Sequence, residues 1–170
     1  LNFNGIIGIA NKAATPFWQR SIKMKKLGAL DVFLGFGRLN FDKVNKSNYN
    51  FYTNWNKKKL DWRMKNPSNE TYMQYRNNHC SVYSKTNFLF IDAYSPLIFI
   101  DKDLKFYSTK NRFYKPIVYC GLINDFKKTK LLFDLPNFLK PSPLNFLYKF
   151  FESDTNLNRE KIFFTFLDFD

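Results

Sequence analysis

The sequence predicts an α/β fold with a mostly parallel sheet. Short apolar runs recur along the chain without polar alternation, as in parallel strands that are covered on both faces. The first two runs, residues 6–10 and 31–36, flank a segment that starts with Thr15-Pro16 and stops at Gly28, which are helix boundary signals. These elements predict one β-α-β unit over residues 6–36, with a right-handed crossover.

The remaining elements extend this pattern. The helix should cover residues 15–27, with an apolar stripe that is ragged and interrupted by basic residues. Periodicity then fades over a polar, basic excursion at about residues 38–87. Further strands are predicted at residues 88–91, 96–100, 116–123 and 133–135, and a closing helix at 143–151. We therefore expect a single α/β domain over residues 1–151 and an acidic C-terminal tail over 152–170.

Composition points to a polyanionic partner. The 170 residues carry a formal net charge of +13 and a pI near 9.7, which favours binding to nucleic acid or to an anionic lipid surface. Residues 19–65 hold twelve basic side chains against three acidic ones. The chain also has 21 Lys, 20 Asn and 21 Phe but only five Ala, a bias typical of AT-rich codons in organelle genes. The sequence therefore predicts a basic surface in its first half and a gene encoded in an organelle.

The best candidate site is a set of basic and aromatic residues that could bind RNA. Lysines neutralise phosphates, and tryptophans offer faces on which bases stack. A run of charges is more often a plain solvated surface, and that alternative stays open because the lysine content follows the codons. The candidate RNA-binding residues are Lys12, Arg20, Lys23, Lys25, Lys26, Arg38, Trp55, Lys57, Lys58, Lys59, Arg63 and Lys65.

Catalytic chemistry has weaker support. The strand "KPIVYCGLIND" ends in Asn124 and Asp125, and ligands bind at such strand ends in parallel sheets. No phosphate-binding loop follows the first strand, however. The segment "GFGR" at 35–38 fits a plain turn better than a phosphate-binding loop. Four aspartates could hold Mg²⁺ or cap turns, namely Asp92, Asp101, Asp103 and Asp125. The pair His79-Cys80 could join a metal site shared with another chain, although a loop pair without metal fits better. We predict no catalytic residue, no metal site, no cofactor and no small-molecule substrate.

The order of the motifs resembles the small-subunit ribosomal protein S-two family in its bacterial and mitochondrial forms. The family has a strand before a Thr-Lys-x-Ala turn, a Leu-Thr-Asn segment, a Pro-led strand ending in Asp, an Ile-Pro-led strand, a Pro-containing segment and a terminal helix. The similar segments here are "IIGIANKAA" (6–14), "YTNWNKK" (52–58), "SPLIFIDKD" (95–103), "KPIVYCGLIND" (115–125), "LLFDLPNF" (131–138) and "PLNFLYKFF" (143–151). The family's Gly-Gly before Thr53-Asn54 is absent.

The resemblance implies a three-layer α/β/α sandwich with a Rossmann-like sheet that sits on small-subunit ribosomal RNA and has no catalytic activity. We therefore expect a structural protein of the mitochondrial small ribosomal subunit, located in the matrix, with ribosomal RNA and other ribosomal proteins as partners. No membrane span is expected, because the most apolar stretch, residues 88–100, is interrupted by Asp92 and Pro96. Two alternatives are a soluble accessory subunit of an organellar membrane complex and a nucleotide- or metal-dependent enzyme that uses the strand-end aspartates.

Overall fold

The computed structural model of the chain describes residues 4–40, 44–67, 70–76, 79–100, 115–124, 126–136, 140, 142–152 and 156–168. These ranges are mostly β-structure, with only two α-helices, α1 (Thr15–Ser21) and α2 (Lys57–Met64). The strands are β1 (Gly5–Ala10), β2 (Lys25–Ala29), β3 (Asp31–Gly35), β4 (Leu39–Asn40), β5 (Thr71–Arg76), β6 (His79–Lys85), β7 (Asp92–Leu97), β8 (Ile117–Leu122), β9 (Lys127–Lys128), β10 (Leu132–Asp134), β11 (Asn145–Phe150) and β12 (Phe164–Thr165). Single 3-10 turns lie at Lys46–Asn48, Arg159–Lys161 and Phe166–Asp168.

A small sheet has the order β1-β11-β2, and both pairings are antiparallel. β1 and β2 therefore point the same way, but β11 lies between them. The face covered by α1 buries Ala10, Met24 and Leu147, with Trp18 packed against them. The opposite face carries Phe146, which packs with residues of the second sheet.

The large sheet has the order β10-β3-β8-β7-β6-β5, and β12 pairs with the end of β8 beyond β7. Among the described strands of this sheet, β7 and β8 alone run parallel, through Asp92↔Ile117 and Ala93↔Val118. The other described pairings of this sheet are antiparallel. A separate antiparallel pair joins β4 to β9.

This architecture corrects the predicted fold class. The predicted three-layer α/β/α sandwich with a mostly parallel, Rossmann-like sheet is wrong, because the described strands form mostly antiparallel sheets with few helices. Both strands of the predicted β-α-β unit are present, as β1 and β3. They do not form such a unit, because β1 belongs to the small sheet and β3 to the large one. The large sheet is covered on both faces, so its antiparallel strands show the continuous apolar pattern that usually marks parallel strands.

Two predicted helical segments differ from the structure. The first helix ends at Ser21 rather than Leu27, Lys23 adopts a left-handed φ of 57°, and residues 25–29 form β2. The predicted closing helix at 143–151 is strand β11, in which four consecutive residues, 145–148, are buried. A strand buried on both faces can place apolar residues at helical spacing by chance, and this explains the error.

Two other predicted strands are confirmed within one residue at each end, as β8 and β10. The strand predicted at 96–100 is displaced, because β7 spans Asp92–Leu97 and shares only residues 96 and 97 with it. The predicted strand at 88–91 is instead a turn. The Thr86 hydroxyl donates to the Ile91 carbonyl at 2.6 Å, and the Ile91 amide donates to the Phe88 carbonyl at 3.1 Å. The side chains of residues 88–90 are exposed as a result.

The core is rich in aromatic rings. One face of the large sheet packs Tyr83, Tyr94 and Tyr119 against Tyr49 and Phe99 from the connecting segments. The rings meet in stacked and edge-to-face arrangements, which are the favourable geometries for aromatic pairs. Part of the high Phe content of the chain is therefore used in core packing.

Two segments that we predicted to be irregular are structured. The polar excursion at about 38–87 contains α2 and the antiparallel hairpin of β5 and β6. The predicted acidic tail contains six consecutive buried residues, 162–167, among them β12. Residues 162–167 thus belong to the core, where Ile162 and Phe164 pack with Leu122 and Phe146.

Candidate nucleic-acid interface

Helix α2 presents the most concentrated group of the predicted RNA-binding residues. Its start is fixed by Asn56, whose side chain accepts a hydrogen bond from the Lys59 amide at 2.9 Å. Leu60 and Arg63 lie on the inner face, and both are buried against the large sheet and the C-terminal segment. The inner face therefore fixes which side chains the helix exposes.

The outer face of α2 is basic and carries one large aromatic ring. Lys57, Lys58, Lys59 and, just beyond the helix, Lys65 are exposed, and the Trp62 ring is 73% exposed. Residues four and three apart are neighbours on a helix surface, so Trp62 has Lys58 on one side and Lys65 on the other. This arrangement combines charge for phosphates with a stacking face for a base.

Neighbouring groups leave most of this charge available. Lys57 forms an i,i+4 ion pair with Asp61 at 3.5 Å, but both side chains are more than half exposed, so the pair is weak. The Lys59 ammonium donates to the Asn54 carbonyl at 3.0 Å, which steadies the side chain while its charge stays at the surface. We name the outer surface formed by Lys57, Lys58, Lys59, Trp62 and Lys65 the α2 surface.

Two predicted RNA-binding residues lie inside the protein. Trp55 is only 7% exposed and bridges to Ile100 beneath α2. Arg63 is 5% exposed, and its guanidinium donates to the Phe166 carbonyl at 3.4 Å. The structure therefore uses both residues to hold α2 in place, and the α2 surface is formed without them.

A second basic group belongs to the small sheet and α1. Lys12, Arg20, Lys23 and Lys26 are exposed, and Lys25 is half-buried with its ammonium donating to Asn156 Oδ1 at 3.0 Å. The remaining predicted residue, Arg38, lies just before β4 and belongs to neither group. It is half-buried, and its guanidinium donates to Gln74 Oε1 at 3.0 Å. The predicted residues thus form two basic groups on different sheets rather than one patch.

Of the residues considered for metal binding or catalysis, the structure describes Asp92, His79 and Cys80. Asp92 is buried in β7, where its Oδ2 accepts a hydrogen bond from the Tyr72 hydroxyl at 2.6 Å. Asp101, Asp103 and Asp125 lie outside the described residues. His79 is exposed, whereas Cys80 is buried, and burial raises the pKa of its thiol to about 12. A protonated, buried thiol is a poor metal ligand, and among the described residues no three metal-ligating side chains lie together.

Sequence reasoning missed Asp168. Its side chain lies at the end of the 3-10 turn Phe166–Asp168, and it lines a groove beside β1 with a volume of about 570 Å³. Burial raises the pKa of Asp168, while hydrogen bonding by Thr53 and Thr165 and the charge of Arg63 offset part of the rise. The signal in the sequence was an acidic residue inside the apolar run "IFFTFLDF" (162–169), which a solvated tail would not need.

Comparisons with known protein families, with curated proteins and with solved structures find no significant match. Neither of the described α-helices has the length and apolar character needed to cross a membrane. Function must therefore be argued from the surface chemistry of the chain itself.

Proposed function

We propose that the chain is a structural, non-catalytic protein of the mitochondrial small ribosomal subunit, where it binds ribosomal RNA and neighbouring ribosomal proteins. The observation that carries this proposal is the α2 surface, in which exposed lysines flank the exposed ring of Trp62. Proteins that bind single-stranded nucleic acid combine these two features, because lysines contact the backbone and aromatic rings stack on bases.

The net charge of +13 supports a polyanionic partner. The exposed basic residues near α1, including Arg20 and Lys23, offer a second set of phosphate contacts. Phosphate contacts position a protein on RNA without reading its sequence, and this suits a protein that is held in place by a large particle.

The choice of particle rests on separate grounds. The three-layer fold implied by the resemblance to the ribosomal family is not the fold of this chain. The order of the sequence motifs and the organelle-like codon bias favour the mitochondrial small subunit. RNA binding and residence in that subunit are therefore separable proposals, and they need separate tests.

Residence in the particle is tested by sedimentation. We expect the tagged protein to cosediment with small ribosomal subunits in sucrose gradients at high magnesium, and to leave that fraction after ribonuclease treatment. Migration with a respiratory membrane complex would favour the accessory-subunit alternative. Migration as free protein would contradict both.

RNA binding through the α2 surface is tested by replacing Lys57, Lys58 and Lys59 together with Gln. The affinity for ribosomal RNA fragments should fall, and the slope of log K against log salt should become shallower by about 2, since each lost phosphate contact contributes about 0.7 on single strands. The control replaces three exposed lysines outside the predicted set, Lys46, Lys130 and Lys161, with Gln. An equal loss in both triple variants would show that net charge alone matters and would contradict an interface on α2.

A further inference from the structure

The outer edge of β1 is open within the described part of the chain. β1 pairs with β11 on one side, and the Phe151 amide donates to the Asn4 carbonyl at 3.0 Å, which fixes the hydrogen-bonding register. Alternate residues of an antiparallel strand bond to the same neighbour. Ile7 and Ile9 therefore direct their backbone N–H and C=O groups away from β11, toward the groove beside β1.

The groove is a candidate site for an extended peptide because it runs beside a strand edge. Its lining combines three residues of β1 with five from other segments, namely Ile7, Gly8 and Ile9 with Phe51, Thr53, Leu144, Phe164 and Asp168. A strand that adds to a sheet edge gains main-chain hydrogen bonds, and its alternate side chains enter pockets on the facing wall. β1 spans six residues, or about 20 Å, enough to pair with a segment of five residues.

Asp168, which lines the groove, has one carboxylate oxygen that can accept a further hydrogen bond. Asp168 Oδ2 accepts from the Thr165 amide at 2.7 Å and from the Thr165 hydroxyl at 3.2 Å. Asp168 Oδ1 is buried and has no hydrogen-bond partner of normal geometry among the described residues. The Thr53 hydroxyl lowers the pKa of this carboxyl from nearby but makes no hydrogen bond of normal geometry to Oδ1. Buried carboxylate oxygens are usually paired, so this atom can accept from a donor that enters the groove.

We propose that the groove beside β1 binds an extended segment of a partner protein, which adds a strand to β1 and places a cationic group, a Lys or Arg side chain or an N-terminal ammonium, on Asp168 Oδ1. Charge complementarity selects this occupant, because a cation satisfies the free carboxylate oxygen. A second copy of the chain is disfavoured as the occupant, since two molecules of charge +13 repel each other. This partner site is separate from the RNA contacts proposed for α2.

The test uses the whole protein and two acetylated, amidated peptides. One is Thr-Val-Lys-Val-Thr, and the other has norleucine in place of Lys, which keeps the four-carbon side chain and removes the ammonium group. We expect the lysine peptide to bind and to slow hydrogen exchange at the Ile7 and Ile9 amides. The norleucine peptide should bind at least about tenfold more weakly. No protection of these two amides at millimolar lysine peptide would overturn the proposal.

Two variants separate the main-chain contribution from the charge. Asp168→Asn keeps an acceptor for Thr165 but removes the charge, so it should abolish the preference for the lysine peptide. Ile7→Pro removes an N–H that does not bond to β11, so it should abolish binding of both peptides and leave the circular dichroism spectrum unchanged.

If Ile7→Pro does not fold, the binding of the two peptides to Asp168→Asn still tests whether Asp168 binds the cationic group. A preference for lysine that survives Asp168→Asn would overturn the assignment of Asp168. Protection of the Ile7 and Ile9 amides that increases with protein concentration in the absence of peptide would identify a second copy as the occupant, and it would equally overturn the proposal.

Discussion

The guanidinium of Arg159 pairs with the Asp31 carboxylate at 2.9 Å and also donates to the Ala29 carbonyl at 2.7 Å. This contact ties the C-terminal segment to the connection between β2 and β3, where the chain passes from one sheet to the other. Both side chains are more than a third exposed, so solvent weakens the ion pair. Its main contribution is to fix the position of the connection.

We predict that Arg159→Lys lowers the free energy of unfolding by about 1 kcal/mol, because Arg159 reaches the Ala29 carbonyl and the Asp31 carboxylate from two different nitrogens and lysine has only one. A double-mutant cycle with Asp31→Asn, measured by urea unfolding, should give a coupling energy of about 0.5 to 1 kcal/mol. A coupling energy indistinguishable from zero would show that the two residues act independently.

Trp62 should contribute to binding of unpaired RNA. Trp62→Ala removes a stacking face and should weaken binding of a single-stranded oligonucleotide by about 1 to 3 kcal/mol, as measured by fluorescence anisotropy of a labelled strand. Phe88→Ala is the matched control, since Phe88 is also largely exposed but lies in the turn between β6 and β7. Equal affinities of the Trp62 variant and the parent would rule out stacking and leave the lysine contacts intact.

Stability should depend on pH through Asp168. Burial raises its pKa above the ordinary value of 3.8, so the folded state keeps a proton that the unfolded chain has already released. The free energy of unfolding should therefore decrease as the pH rises from about 3.8 to the raised pKa, by about 1.4 kcal/mol for each unit of the rise.

Asp168→Asn should remove that decrease, so that its stability relative to the parent improves with pH across the same window. Thermal unfolding of both proteins at several pH values from below 3.8 to neutrality measures the effect. Parallel curves for the two proteins would contradict it.

Gly121 allows β12 to approach β8. A side chain added there would meet the Phe164 carbonyl and the Tyr119 ring, and both of these residues are buried. Gly121→Ala should therefore lower the free energy of unfolding by about 2 kcal/mol or more. Gly8→Ala is the control, because an added Cβ there would make only an ordinary contact with Met24 Cε at 3.7 Å, and its stability should change little. Chemical denaturation measures both stabilities, and equal stability of the two variants would contradict a close approach of β12 at Gly121.

Parts of the fold could be read from local sequence and others could not. β1, β3 and β8 follow from short β-branched runs bounded by Gly, Pro or Asp. Their partners are set by residues far along the chain, so the pairing of β1 with β11 has no local signal. Residues 145–150 fit a helix as well as a strand, and only burial on both faces of the small sheet decides in favour of the strand.

The candidate site shows the same limit. Trp55 and Trp62 both neighbour lysines in the sequence, but the predicted RNA-binding set included Trp55 and left out Trp62. Because Trp55 lies beneath α2 and Trp62 on its outer face, one is in the core and the other at the surface. The open groove depends on tertiary contacts that bring residues near 51 and 164 to β1, and no short motif carries that information.

The central position of β11 in the small sheet determines when this protein can fold during its synthesis. β1 and β2 are synthesised more than a hundred residues before β11, the strand that joins them. At roughly 5 to 20 residues per second, the two N-terminal strands wait about 6 to 23 seconds for their partner. Since the apolar residues Ile6 and Ile7 lack their partner strand throughout that interval, we expect this segment to be the most prone to aggregation until β11 is made.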